Sequence, residues 1–381
     1  MVAAVCVGVV VVGSVRVTMH ARPPPTRPAP SVDHPVVTRT PSAAKAPGNA
    51  SVPAAPRAVS AATAGDPVAV CGLGTVALGT GGADGAQGAD AALGLWRFLA
   101  RATQGMGERW LLALENSGDT RARATGLYLE GKIATGDLTL QLTTDATRDA
   151  LVQLAVGSDD PAVYTIAGYA CSTFRNASGG VCPQITPSGW ARRDPDNAAP
   201  WLALASQASA QHDSAAEASA FAQAAKAQRV QDYSDSLFDF AEAALPVDAT
   251  DLERWYFATE VIGIGVASTP PRAVLSTYCS ADSIADGTPR EQCNALAELL
   301  VTKGTTLLDL GSGIGLARRL GWPATRVADL EQQSRLALDT LKGAVPTDIR
   351  DLWDCGSVQR GNAFVRLRSQ WGELGAAREL K

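Results

Sequence analysis

Unperturbed side chains that titrate near neutral pH are the usual raw material of acid–base catalysis, and this chain has three: His20, His34 and His212. The first two stand in N-terminal segments treated below. His212 sits in the polar stretch "QHDS" and reads as a solvated turn residue. One imidazole is too few for a His-rich zinc site and a poor start for a Ser–His–Asp triad. Among carboxylates, Glu253 and Glu260 share a helix face, and Asp282 and Asp286 share a loop beside Cys279. Caps and solvated faces account for all four. A glycan-cleaving pair would need one acid of raised pKa set in a groove. Of the seven cysteines, Cys6 lies in a hydrophobic N-terminal run; the others are Cys71, Cys171, Cys182, Cys279, Cys293 and Cys355. Neither CxxC nor any other compact metal spacing occurs among them. The net charge is −5, and the body carries no run of Lys and Arg, so nothing marks a nucleic-acid footprint. These residues imply no catalytic centre, no metal and no cofactor.

Two glycine-rich stretches test that reading. In "VAVCGLGTVALG", Gly72, Gly74 and Ala77 resemble a dinucleotide-binding turn. Such a turn must open a helix whose N-terminus holds the pyrophosphate, and "GTGGADGAQGAD" cannot start one. The second stretch is "TLLDLGSGIGLARRLGW" (306–322). It resembles the glycine loop of class I methyltransferases, which bind S-adenosylmethionine. The resemblance implies a strand at Leu307–Leu310 with Asp309 as its acid. Gly311, Gly313 and Gly315 would form the loop, and Asp329 would sit on the ribose. The flanks argue for a helix instead. Leu307, Leu310, Ile314 and Ala317 recur at helical spacing, as do Val327, Leu330, Ser334, Ala337 and Leu341 after the break at "GWP". On that reading Gly311 and Gly315 permit close helix contact, and Gly313→Ala leaves the fold intact.

Positioning begins at the N-terminus. Residues 1–20 open with an uncharged hydrophobic run that suits a signal or membrane-anchor segment. Residues 21–66 are rich in Pro, Ala, Ser and Thr without apolar periodicity, which predicts a disordered, extended tether. Together they place the body, 67–381, outside the cytoplasm, in the periplasm or cell envelope, with membrane contact only through the N-terminal segment. An even number of body cysteines in an exported chain favours disulfides. Cys171 with Cys182 and Cys279 with Cys293 would staple local loops. Cys71 and Cys355 are left, by elimination, to join the two ends.

The body is rich in alanine and poor in aromatics (6%), which favours close-packed helices over β-sandwiches. Asp160 and Pro161 start one helix, with Val163, Ile166, Ala167 and Ala170 on one face. Thr250-x-x-Glu253 and Thr288-x-x-Glu291 read as capping boxes. Only "DLTLQLTT" (137–144) alternates like a strand. "DPDNAAPWLALASQASAQHDSAAEASAFAQAAKAQR" (about 195–231) resembles a tetratricopeptide unit. Pro195 and Trp201 stand at its boundary, Leu204, Ala205 and Ala208 pack the first helix, and Phe221 and Ala224 pack the second. Glu217 occupies the place of the mid-repeat alanine. The predicted fold class is all-α, with stacked antiparallel α-hairpins of tetratricopeptide-like kind, stapled by disulfides. The resemblance implies a non-catalytic role binding a protein or peptide partner through a concave surface that Leu202, Ser206 and Ser209 would face. The alternative is a methyltransferase built on 307–315.

Overall fold

The computed structural model describes residues 67–77, 87–133, 145–172, 180–234, 236–268, 273–285, 287–346 and 351–380. The hydrophobic segment, the tether and the alternating stretch 137–144 lie outside them. Among the described residues, 75% are helical, in fourteen α-helices accompanied by two short strands.

The strands correct the expectation of a purely helical body. Pro67–Val70 (β1) and Gly74–Ala77 (β2) pair antiparallel, with Val68 opposite Val76. Gly72 and Gly74 have φ of +77° and +80°, a left-handed conformation that glycine enters without a Cβ clash. The Leu73 N–H donates to the Val70 carbonyl at 3.0 Å. The Gly72-x-Gly74 pattern is therefore the turn of a hairpin. Val68 and Val70 point into the core, and Pro67 and Ala69 point to solvent.

The helices then follow in chain order. They are α1 (Gln87–Glu115), α2 (Thr120–Ile133), α3 (Asp145–Val156), α4 (Pro161–Ser172), α5 (Pro187–Arg193), α6 (Ala198–Ala210) and α7 (Ser214–Ala224). The second half holds α8 (Ser236–Glu242), α9 (Asp251–Ser268), α10 (Ala273–Tyr278), α11 (Gly287–Lys303), α12 (Leu307–Leu320), α13 (Ala324–Ala344) and α14 (Cys355–Glu379). Their starts are chemically specified. The Asp160 carboxylate accepts the Ala162 N–H at 2.9 Å and caps α4. At α9 the Glu253 carboxylate accepts the Thr250 N–H at 2.8 Å, while the Thr250 hydroxyl accepts the Glu253 N–H at 3.3 Å. The expected Thr288 box is corrected: α11 already begins at Gly287, which puts Thr288 inside the first turn. A 3₁₀ turn at Ser283–Ala285 brings the backbone into helical curvature before Thr288 is reached.

Most consecutive helices touch, among them α1 with α2, α3 with α4, α6 with α7, and α11 through α14 in series. Buried apolar side chains form two clusters. The larger draws on the hairpin, α1 to α4, α8, α9, α13 and α14; the smaller draws on α6, α7, α10 and α11. Helix α12 is the wall between them. It turns Leu310, Ile314 and Ala317 to the first cluster and Leu316 and Leu320 to the second. Its remaining face is open to solvent, where Leu308, Gly311, Arg318 and Arg319 are exposed.

Three disulfides staple the body: Cys71–Cys355, Cys171–Cys182 and Cys279–Cys293, with Cα separations of 4.6, 5.5 and 5.9 Å. The first fastens the hairpin turn to the start of α14. Beside it, the Cys71 N–H donates to the Trp353 carbonyl at 2.8 Å.

Candidate functional site

The glycine stretch at 307–315 folds as the first half of α12. Thr306 and Asp309 form a capping box: the Thr306 hydroxyl accepts the Asp309 N–H at 3.0 Å, and the Asp309 carboxylate accepts the Thr306 N–H at 3.1 Å. The acid that a cofactor motif would use is thus engaged by its own helix. Gly321 ends the helix at φ +74°, and the Trp322 N–H closes back on the Ala317 carbonyl at 3.0 Å. Asp329 is exposed in the second turn of α13, not at the end of a strand. After a glycine kink at Gly372, α14 adds one further cap, as the Glu373 carboxylate accepts the Leu307 N–H at 2.9 Å.

The spacing argument named the wrong glycines for close contact. A Cβ at Gly311 or Gly315 would meet nothing within 4 Å. At Gly313 it would lie 2.6 Å from Val301 Cγ1 and 3.1 Å from both Leu300 Cβ and the Val301 nitrogen. Gly313 is where α11 and α12 approach, so the expectation that Gly313→Ala is tolerated is withdrawn. Gly313→Ala should cost about 1–3 kcal/mol by overpacking. Gly311→Ala and Gly315→Ala should each stabilise by about 0.5–1 kcal/mol through helix propensity. Urea denaturation of the three variants tests the sign at each position.

Of the four carboxylates singled out above, Glu253 is the cap expected, Asp282 is exposed in a turn, and Asp286 lies outside the described residues. Glu260 is different. It sits in the middle of α9, in a run from Trp255 to Val261 in which every other residue is at most 6% exposed. Among the described residues no hydrogen bond or ion pair reaches its carboxylate. Burial pushes its pKa up to about 7, and burial with the nearby Glu260 charge pushes the Tyr256 phenol up as well. One turn earlier, Tyr256 belongs to an aromatic group with Trp96 of α1 and Trp353. The Trp96 ring centroid is 5.7 Å from Tyr256 and 5.1 Å from Trp353, and the two tryptophans meet edge to face. The indole N–H groups of Trp96 and Trp353 are buried without hydrogen-bond partners. Glu260 itself is only half-buried, and its oxygens are not among the buried unpartnered atoms, so water reaches the carboxylate.

A second polar cluster is fully satisfied and structural. The Asp194 carboxylate accepts from Asn197 Nδ2 at 2.7 Å, from the Tyr233 hydroxyl at 3.0 Å and from the Arg229 guanidinium. Asn197 Oδ1 accepts the N–H groups of Ala199 and Gln231 at 3.1 and 2.9 Å. Tyr233 holds φ +62°, an uncommon value for a bulky residue, which the network sustains. These bonds clamp the chain leaving α7 against the chain entering α6. Between those helices, His212 is an exposed turn residue at φ +59°. Leu202 does not face an open groove: it is 7% exposed and packs in the smaller core cluster, because α10 lies against α6. Ser206 and Ser209 are half-buried. Among the described residues, no three His, Cys, Asp or Glu side chains are grouped to hold a metal ion.

Comparison of the chain with protein-family models, with curated proteins and with solved structures finds no match.

Proposed function

We propose that this is a non-catalytic, exported helical-repeat protein of the cell envelope. Its N-terminal segment would hold it at the membrane, and its body would bind a protein or peptide partner. The observation that carries the reading is the α6–α7 hairpin. Phe221 and Ala224 of one helix are buried with Ala205 of the other, and the Trp201 indole donates to the Pro195 carbonyl at 2.9 Å. Large side chains of one helix against small ones of the other support a tetratricopeptide-like reading, in which neighbouring helix pairs would build one continuous surface. Three disulfides support an oxidising compartment. Stacked hairpins would present one continuous surface to a partner, which is why the reading favours interaction over catalysis.

A photo-crosslinking residue at Ser206 or Ser209, on the half-buried side of α6, should give discrete higher-mass adducts in the native envelope. The same residue at the exposed Ala215 should not. Equal yields at all three positions would remove the partner surface. S-adenosylmethionine should leave the melting temperature unchanged; a saturable shift would replace this reading with an enzyme.

A further inference from the structure

The six bridged cysteines differ in what can reach them. Cys279 and Cys293 are at most 1% exposed and sit inside the smaller core cluster, so no external thiol approaches that bridge while the chain is folded. Cys171 and Cys182 are both half-buried, and Cys171 packs against the larger cluster from the last turn of α4. Cys355 alone among the six is exposed, as the first residue of α14. Its partner Cys71 is half-buried, but the turn that follows, Gly72 to Thr75, is exposed throughout. A Cβ at Gly72 or Gly74 would meet nothing within 4 Å, so open space flanks this bridge. Thiol–disulfide exchange needs a thiolate to approach a sulfur, so access selects the bridge that reacts.

The same bridge joins parts that little else holds together. Among the described residues, β1 and β2 lie close along their length only to each other. Their ties to the helices are the buried Val68 and Val70, the half-buried Val76, the bond from the Cys71 N–H to the Trp353 carbonyl, and the disulfide. The length of the loop it closes gives no protection, because that entropy belongs to the unfolded chain and exchange acts on the folded one.

We propose that Cys71–Cys355 is a thiol–disulfide exchange site for a dithiol reductant, which opens it while the other two bridges stay closed and so frees the N-terminal hairpin from α14. One thiolate of the reductant attacks Cys355 Sγ; the S–S electron pair leaves on Cys71 Sγ, which takes a proton. The reductant's second thiol then attacks its own sulfur in the mixed disulfide, and Cys355 leaves as the second free thiol. The reductant ends as an internal disulfide, and the bridge has gained the two electrons it lost. The site is separate from the partner surface proposed on α6, and neither reading depends on the other.

The full chain in mild detergent, with Cys6 first blocked by alkylation, should be treated with dithiothreitol in the absence of denaturant. Quenching with a second alkylating reagent and peptide mapping then times each cysteine. Cys71 and Cys355 should be labelled together, about tenfold faster than the other four. Equal rates at Cys171 and Cys182, or one rate for all six, would overturn the assignment. A CxxC dithiol protein whose second cysteine is replaced by serine should be trapped as a mixed disulfide on Cys355. No adduct, or an adduct on another cysteine, overturns it as well. Release of the hairpin has its own readout: in the selectively reduced protein the amides of 68–77 should exchange several-fold faster, with those of α9 and α11 unchanged. Unaltered exchange at 68–77, or lost protection in α9 and α11 alike, counts against a hairpin that is freed from an intact body.

Discussion

Replacing Cys71 and Cys355 together by serine should lower the unfolding free energy by about 5 kcal/mol, the largest loss expected for any of the three bridges. The bridge closes a sequence separation of 284 residues, against 11 and 14 for the other two. Loop-closure entropy grows with the logarithm of loop length, so each local staple should contribute about 3 kcal/mol. The folded state also holds the hairpin by more than sulfur: Val68 and Val70 are buried, and the Cys71 N–H meets Trp353. The double variant should therefore keep its helical circular dichroism while its hairpin becomes an early site of proteolysis. Urea melts of the three paired-serine variants give the ranking. A Cys71/Cys355 variant no less stable than the Cys171/Cys182 variant would show that closing the long loop is not what the bridge contributes.

The second large effect is expected at Gly361. Helix α14 crosses α9 there, and a Cβ would fall 2.6 Å from two carbons of the Trp255 ring. That ring has nowhere to go. It is almost wholly buried, and its nitrogen is tied to the Leu352 carbonyl. Gly361→Ala should cost about 2–3 kcal/mol, despite alanine's better helix propensity, because the contact is overpacked. Gly343→Ala, where an added Cβ meets nothing within 4 Å, is the matched control and should be neutral or stabilising. Equal effects at the two positions would contradict the close crossing.

Much of this architecture could be read from residue order, where the cause is local. Capping at Asp160 and Thr250, the apolar stripe Cys293–Leu296–Ala297–Leu300, and the helical period through Leu310 and Ile314 all act within a few turns. The two local cysteine pairs were legible from their short spacings, while the pairing of Cys71 with Cys355 followed only by elimination and is given by the structure. Features that depend on distant parts of the chain were not. The hairpin at 67–77 has strands of four residues each, too short for alternation to show, and its glycines imitate a phosphate turn. Which of Gly311, Gly313 and Gly315 meets a neighbour depends on where α11 lies. Leu202 is covered because α10 returns to it from more than sixty residues away.

The bridge between Cys71 and Cys355 also decides how the molecule bears tension. A pull on the chain at Pro67, resisted at the far end of α14, passes through sulfur directly to Cys355. Residues 72–354 form a covalently closed ring outside that line of force, so the load falls on the first strand and on α14, whose buried side chains belong to the larger cluster. Only the helix beyond Cys355 can lengthen, and stretching should end once its 25 residues are drawn out to roughly 3.5 Å each. Under reducing conditions the same pull would unravel the whole body, so a force–extension record should show a short contour when oxidised and a many-fold longer one when reduced.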